Sequence, residues 1–168
     1  MAITAGVIGD PLSAAVVTFF DMPAEIGRYQ TTKQDHGLDK TLDKELLLDI
    51  CRPALEEQHH VEATVEVRNI HRAVGTMVGS ELSRRYGAEG LPEDTVKLHF
   101  FGSAGQSFGA FLPRGMSFYL DGDSNDYIGK GLSGGKIIVR PPETATFIPE
   151  ENVIIGNVAF YGATGGQA

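Results

Sequence analysis

Cysteine is nearly absent from this sequence: Cys51 is the single cysteine in 168 residues. An internal disulfide framework is therefore excluded, and this usage suits a reducing compartment. Long apolar runs are missing as well, because no stretch approaches the ~20 residues that span a bilayer. The first residues lack a basic region and carry Asp10 and Pro11, which argues against a signal peptide. These absences predict a soluble, cytoplasmic protein.

Basic side chains are also scarce. The chain has 14 Lys and Arg against 22 Asp and Glu, a formal net charge of −8. Fourteen dispersed cations cannot assemble a basic face, which excludes nucleic acid and anionic membrane surfaces as partners. Residues 1–100 hold 16 of the 22 acidic groups, so the remainder of the chain is close to neutral.

Glycine, in contrast, is abundant in one region. Thirteen of the 21 glycines lie between Gly102 and Gly166, where a short signature occurs three times, beginning at Gly102, Gly131 and Gly162. The three copies are almost evenly spaced along the chain, which indicates a repeat architecture. Glycine permits sharp corners and close backbone approach between strands.

Short apolar runs flank these glycines and predict strands. The runs are Val96–Phe101, Met116–Leu120, Lys136–Arg140, Asn152–Ile155 and Val158–Tyr161. Stacked corners with parallel strands would form a β-solenoid whose core is shared between turns. An antiparallel sandwich with glycine-rich turns explains the same pattern, and the residues alone leave both architectures open.

The preceding part predicts a helical lead-in. Apolar residues at helical spacing predict a helix over Thr41–Ile50, capped by Thr41 and ended or kinked by Pro53. Alternation over Val61–Val67 predicts a half-exposed strand. A second helix is predicted over Asn69–Tyr86, with Glu81 and Arg85 paired and Gly87 at its end. In residues 1–28, Ala14–Phe20 fits a short strand or half a helix, and the segment is assigned no role.

One motif resembles a dinucleotide-binding fingerprint. Gly129-Lys-Gly131-Leu-Ser-Gly134 reads G-x-G-x-x-G, with Glu150 and Glu151 about 20 residues further on. The fingerprint requires a helix that begins inside the motif and faces the phosphates. Here Lys136–Arg140 favours a strand, so we interpret the motif as a solenoid corner.

The other candidate sites are also weak. Asp121–Asp126 offers oxygen ligands at alternate positions, but Asp126 and Leu132 stand where a calcium loop needs Gly and Glu, so an acidic turn is predicted. The histidines show no zinc-ligand spacing, and Cys51 is predicted to be a core residue. No G-x-S-x-G elbow is present. The sequence therefore predicts no catalytic, cofactor-binding or metal-binding residue.

Four long motifs resemble a known family. They begin at Arg68 (RNIHRAVGTM), Gly102 (GSAGQSFGAF), Asp123 (DSNDYIGKGLSGGKIIV) and Ile155 (IGNVAFYGATGG). Together with Tyr29-Gln-Thr-Thr and the segment from Gln34 to Lys40, they are similar to the C-terminal glycine-repeat (GXGXG) domain of the glutamate synthase large subunit. The resemblance covers Tyr29 to Ala168.

The resemblance implies a right-handed parallel β-helix within an enzyme that makes two glutamates from glutamine and 2-oxoglutarate. In that family an N-terminal cysteine is the glutaminase nucleophile, and FMN and an iron-sulfur cluster lie in other domains. None of those parts is recognised here; position 2, for example, is Ala. The implied role is structural, with the glutaminase, FMN synthase and reductase parts as partners. The glycines assigned to the structural repeat are Gly102, Gly105, Gly109, Gly129, Gly131, Gly134, Gly135, Gly156, Gly162, Gly165 and Gly166.

The fold class expected is therefore mainly β, a parallel β-helix after a short helical lead-in. Its division is residues 1–28 unassigned, 29–95 lead-in and 96–168 β-helix repeats, incomplete at the C-terminus. We expect such an open end to associate or aggregate. Three functions compete: a non-catalytic segment of the glutamate synthase large subunit, a stand-alone β-helix subunit of a multi-subunit relative, and an independent nucleotide-binding enzyme.

Overall fold

The computed structural model describes residues 34–168; the interpretations of residues 1–28, of Ala14–Phe20 and of Tyr29-Gln-Thr-Thr lie outside the described residues. The described part is mainly β. Its strands are β1 (Val61–Val67), β2 (Val96–Ala104), β3 (Met116–Ser124), β4 (Ser133–Arg140) and β5 (Gly165–Gln167). Its helices are α1 (Leu48–Ile50), which continues a π-helical turn over Asp43–Leu47, α2 (Arg52–Glu57) and α3 (Thr76–Tyr86). Short 3-10 turns lie at Leu38–Lys40, Gly87–Glu89 and Pro149–Glu151.

The five strands form one parallel sheet whose spatial order is the chain order. Val96 of β2 pairs with Val61 of β1 and with Met116 of β3, and Phe118 of β3 pairs with Ile137 of β4. Because every named pairing is parallel, the antiparallel sandwich is wrong for the described residues. β1 shares the sheet with β2, so the predicted lead-in contributes a strand to it.

The turns that connect the strands are stacked on one another. In successive turns every second residue is left-handed, with φ between 53° and 89°. These residues are Ala73 and Gly75; Ser107, Gly109 and Phe111; Tyr127, Gly129 and Gly131; and Val158, Phe160 and Gly162. Backbone amides join the turns at equivalent positions: Ser107 N donates to Asp126 O at 2.8 Å, and Tyr127 N donates to Asn157 O at 3.0 Å. The turns therefore form a second hydrogen-bonded ladder besides the sheet.

The core lies between the sheet and the stacked turns. Phe100 and Phe118 come from neighbouring strands and Phe108 from a turn, and all three are almost fully buried. Their ring centroids are 5.0–5.5 Å apart in edge-on and tilted arrangements. Aromatic rings favour these geometries, which add to the stabilisation from burial. The first turn and the helices cover one end of this core with Val74, Val78 and Leu82.

Asp43 joins the first helical turn to α3. Its carboxylate accepts the backbone N–H groups of Gly75 and Met77, each at 2.7 Å, and so caps α3 from an element that is distant in sequence. Burial raises the pKa of Asp43, while the hydrogen bonds from Gly75, Met77 and Val78 act in the opposite direction. A buried carboxylate thus satisfies amides that the helix leaves without partners.

The helical predictions were right in part. The chain is helical from Leu42 to Ile50 as expected, with Lys44 N donating to Thr41 Oγ1 at 3.4 Å. Pro53 lies at the start of α2, where its missing N–H is tolerated, and so it begins a helix. The helix predicted over Asn69–Tyr86 begins only at Thr76, because Ala73 and Gly75 are left-handed members of the stacked turns. Gly87 ends it with φ 62°, as predicted.

Two predicted strands are wrong, and so is the predicted equivalence of Gly102 with Gly131. Val158–Tyr161 is a turn with left-handed Val158 and Phe160, and in Asn152–Ile155 only Ile155 forms an isolated bridge, to Ser124. The strand after them is β5, which was expected to be a corner. Gly102 lies in β2 and pairs with Gly122, so it is not equivalent to Gly131.

Candidate functional surface

Most charged side chains of the sheet lie on its outer face, where paired residues of neighbouring strands form rows across the sheet. Side chains of a strand alternate between faces, and the in-register parallel pairing aligns residues of β1 to β4 across the sheet. The rows are Glu62, Lys97, Ser117 and Lys136; Thr64, His99, Tyr119 and Ile138; and Glu66, Phe101, Asp121 and Arg140.

Glu62 lies at the centre of the first ionic cluster. Its Oε1 atom is 3.0 Å from Lys97 Nζ and 3.0 Å from His99 Nε2. The hydrogen bond from Lys97, and then that from His99, lower the pKa of Glu62, and the bond to Glu62 raises the pKa of Lys97. The His99 ring stacks on Tyr119 with centroids 4.8 Å apart, and Lys97 Nζ lies 5.6 Å from the Tyr119 centroid. Glu62 and Lys97 are therefore charged at neutral pH.

Asp94 is the centre of a second ionic cluster, next to Ser117 and Lys136 of the row that contains Glu62. It accepts a hydrogen bond from Ser117 Oγ at 2.5 Å and lies 3.5 Å from Lys136 Nζ, which also contacts Glu93. The Ser117 hydrogen bond, followed by the Lys136 charge, lowers the pKa of Asp94. The hydrogen bond to Glu93 and the Asp94 charge raise the pKa of Lys136.

Asp121 and Arg140 form a third, two-pronged pair. Arg140 Nε contacts one carboxylate oxygen and Arg140 Nη2 donates to the other at 3.0 Å. The Arg140 hydrogen bonds lower the pKa of Asp121. A general acid or base works best with a pKa near the operating pH. The pKa values of Glu62, Asp94 and Asp121 are shifted further below neutral pH. These three carboxylates are therefore suited to ion pairs between strands or with a partner.

The structure places the G-x-G-x-x-G motif in a stacked turn. Gly129 and Gly131 have left-handed φ angles of 60° and 65°, and β4 begins at Ser133, where a nucleotide fold would need a helix. The Phe111 ring lies over Gly131, so that a Cβ there would meet it at 2.5 Å. The motif thus forms a turn that leads into a strand, as Lys136–Arg140 predicted, whereas the aromatic rings of neighbouring turns against its glycines were not predicted.

The segment predicted as an acidic turn, Asp121–Asp126, lies partly in β3 and partly in the turn that follows it. Asp123 lies in β3 and accepts a hydrogen bond from Ser103 Oγ at 2.6 Å, while Asp126 Oδ1 accepts the Asn157 N–H at 2.7 Å. Asp121 pairs with Arg140 as described. Among residues 34–168, no three or more His, Cys, Asp or Glu side chains are grouped to hold a metal ion.

Cys51 is buried, which confirms the prediction that it is a core residue. Burial, and then the charge of Asp43, raise the pKa of the Cys51 thiol to about 12. The thiol is thus protonated at neutral pH, which leaves it a poor nucleophile. The histidines are spread over the surface: His60 Nδ1 lies 2.9 Å from Asp94 O, and His71 Nδ1 accepts the Arg68 N–H at 3.2 Å.

The eleven glycines assigned to the repeat occupy two kinds of position. Gly102, Gly134, Gly135, Gly165 and Gly166 lie in strands, and Gly105, Gly109, Gly129, Gly131, Gly156 and Gly162 lie in the connecting turns. Their common repeat role stays a prediction. Sequence reasoning missed the left-handed residues other than glycine, and it missed Asp43. For the left-handed residues, the alternation of glycine with another residue in Gly129–Gly131 was the available signal in the sequence.

Comparison with known proteins identifies the family. The family model described as the GXGXG motif matches residues 43–168. The chain belongs to this family. It is 55% identical over 151 residues to the glutamate synthase [NADPH] large chain of Bacillus subtilis, covering 90% of this chain and 10% of that protein. It is 46% identical to the glutamate synthase [NADH] of Schizosaccharomyces pombe, over 94% of this chain and 7% of that protein.

A ferredoxin-dependent relative is also similar. The chain is 47% identical over 133 residues to ferredoxin-dependent glutamate synthase 1 of Arabidopsis thaliana, covering 79% of this chain and 8% of that protein. The chain thus corresponds to the GXGXG region of glutamate synthases and spans a tenth or less of these three relatives. Among the described residues, no helix has the length and apolarity needed to cross a bilayer.

Proposed function

We propose that this chain is a non-catalytic structural segment of a glutamate synthase large subunit, the enzyme that makes two glutamates from glutamine and 2-oxoglutarate. The observation that carries the proposal is the 55% identity to the Bacillus subtilis large chain over 90% of this chain. Such identity over nearly all of the chain supports a shared place in a shared enzyme. The stand-alone subunit is the weaker alternative, because in these relatives the region lies within a much longer protein.

We further propose that the segment is a right-handed parallel β-helix. Parallel strands in chain order support it, and so does the second ladder formed by the turns. Phe111 N donates to Lys130 O at 2.7 Å, and Gly131 N donates to Tyr161 O at 2.9 Å, so the same bond recurs one turn later. A core enclosed between two such ladders is the arrangement of a solenoid.

A structural role agrees with the chemistry of the surface. Glu62, Asp94 and Asp121 on the outer face are paired with Lys97, Lys136 and Arg140, and the motif glycines contact protein rings. We place FMN, the iron-sulfur cluster and the glutaminase cysteine in other parts of the enzyme, which we propose to be the partners of this segment, in the cytoplasm.

An exchange of segments tests the proposal. The matching region of the Bacillus subtilis large chain is replaced by this sequence, and glutamate formation from glutamine and 2-oxoglutarate is measured with the purified enzyme. We expect an active enzyme whose KM values match those of the parent. A Gly129→Val variant of the exchanged enzyme should lower the yield of folded enzyme and leave the activity per bound FMN unchanged.

Two results would contradict the proposal. An exchanged enzyme that folds and binds FMN but makes no glutamate would show that the segment supplies something other than support. A loss of activity per FMN on replacing Lys97 or Asp121 by alanine, in an enzyme that stays folded, would give the outer face a catalytic role.

A further inference from the structure

A groove of about 600 Å³ lies beside the outer face of the sheet. One wall consists of the ends of β2 and β3, and the other is the segment of residues 141–155, which we call the acidic segment. Gly102 and Gly122 form part of the floor side by side. A Cβ at Gly122 would collide with the carbonyl oxygen of Gly102, so this floor has to be bare backbone.

The walls of the groove expose large apolar side chains. Phe101 is 47% exposed, Phe147 40% and Val153 88%. Ile148, next to Phe147, is also exposed. Apolar side chains gathered around a concave surface mark a binding site more strongly than single exposed residues do.

The charge of the groove has one sign. Its lining includes Asp121 and Asp123 and no Lys or Arg. The acidic segment carries Glu143, Glu150 and Glu151 and also contains no cation. Arg140 pairs with Asp121 at the edge and also interacts with the charge of Glu143, which leaves Asp123, Glu150 and Glu151 without a cation in the lining. A partner with cationic side chains would match this charge.

The acidic segment has an ordered backbone to present to a partner. Asn152 Nδ2 donates to Ile148 O at 2.8 Å, and a 3-10 turn spans Pro149–Glu151 between these residues. Ser124 N donates to Ile154 O at 2.9 Å, which ties the end of the segment to β3. The segment is thus bonded to β3 near its end and braced internally by the turn.

We propose that this groove binds a continuous peptide segment with an apolar anchor residue flanked by Lys or Arg, supplied by another part of the glutamate synthase large chain. The inference rests on the proposed function. The apolar walls select the anchor, and the acidic lining selects the flanking cations. This region covers only 10% of the Bacillus subtilis relative, so about nine tenths of such a protein remains to supply the segment.

The test uses the full 168-residue chain and short fluorescein-labelled peptides that tile the Bacillus subtilis large chain outside the matched region. Binding is measured by fluorescence anisotropy. We expect one or a few peptides to bind, each with an apolar residue between cations, and more weakly as salt is raised. Val153→Asp should weaken this binding by about tenfold or more, as loss of a central anchor contact does.

Two further variants separate the groove from general surface effects. Ile70→Asp is the matched control, because Ile70 is also an exposed β-branched residue, at 71%, but does not line the groove. This variant should leave binding unchanged. Asp123→Asn should weaken binding by a few-fold and reduce its salt dependence, as is typical of a rim charge. Circular dichroism of each variant confirms that the fold is kept.

Several results would overturn the inference. They are the absence of any binding peptide, binders without cations, and equal effects of Val153→Asp and Ile70→Asp. Sedimentation showing a dimer of the chain that Val153→Asp dissociates would assign the groove to a second copy instead. If the exchanged enzyme described above is active while no peptide binds, this inference fails and the proposed function stands.

Discussion

At the scale of single residues, buried polar groups show where the chain is constrained. Asp43 accepts two backbone N–H groups at 2.7 Å from the beginning of α3, and no apolar residue could do this. The cost of burying the carboxylate is visible in its raised pKa, and the amides offset part of it. The pattern of Leu42, Leu46 and Ile50 predicted the helix around Asp43, but a partner so far along the chain has no signal in a local pattern.

Asp43→Ala tests this cap. The variant leaves the N–H groups of Gly75 and Met77 buried without an acceptor, and we expect a loss of about 1–3 kcal/mol in the free energy of unfolding. Urea denaturation measures it. Asp49→Ala is the control, since Asp49 is an exposed carboxylate on the same helical stretch whose pair with Arg52 is worth little. Equal losses in the two variants would contradict the capping role.

The ion pairs of the outer face predict how stability depends on pH. The pKa values of Glu62, Asp94 and Asp121 are lowered in the folded chain, so their unfolded forms bind protons first as the pH falls. Their stabilisation is present above the unfolded values, about pH 4, and is lost as the pH drops through the lower folded values.

Asp121→Asn checks this sign. The variant should have a lower free energy of unfolding than the parent chain at pH 7. The difference should shrink as the pH falls below the unfolded value of about 4 and through the lower folded pKa of Asp121. Urea titrations over this range provide the comparison, with Glu150→Gln in the acidic segment as the control. A difference that grows as the pH falls would reverse the sign and refute the account of Asp121.

At the scale of elements, the stacked turns distinguish two kinds of glycine. Gly129 and Gly162 are both left-handed, with φ of 60° and 68°. A Cβ at Gly129 would meet the Phe160 ring at 2.5 Å, whereas a Cβ at Gly162 would meet no atom within 4 Å. Conformation and crowding act together at the first position, and conformation acts alone at the second.

Gly129→Ala and Gly162→Ala separate the two effects. A left-handed alanine costs roughly 1–2 kcal/mol, which is the whole effect that we expect at Gly162. Gly129→Ala should cost more, on the order of 1–3 kcal/mol more, because the crowded Phe160 ring has to move. Thermal and urea unfolding of both variants give the difference, and equal losses would show that the rings do not press on Gly129.

At the scale of the whole molecule, much of the sheet could be predicted from sequence. Apolar alternation located β1, short apolar runs located the starts of β2 and β3, and Gly87 located the end of α3. The stacked turns could not be located in this way. Apolar residues in Val158–Tyr161 have strand-like composition, yet Val158 and Phe160 are left-handed. They lie in a turn that is bonded to the preceding turn, as Phe160 N is to Ile128 O at 2.8 Å.

The repeat itself was misread for a related reason. Val61 pairs with Val96 and Val96 with Met116, so the spacing between paired strands differs with the helix or loop that lies between them. The assumption of a fixed period therefore aligned Gly102 with Gly131, whereas its partner in the sheet is Gly122. Unequal insertions between stacked strands hide the true register from any search for a constant spacing. The groove likewise depends on strands and a turn that are distant in sequence.

The central claim is that the glycine-rich turns are structural corners bonded to one another around a shared core. Amide hydrogen exchange of the full chain, read residue by residue by NMR, tests it most directly. The amides of Ser107, Tyr127, Gly129 and Gly131 should exchange as slowly as those in the middle of β2 and β3, because each donates to a neighbouring turn. Exchange of these four amides at the rate of an unstructured peptide, with the strands still protected, would contradict the claim.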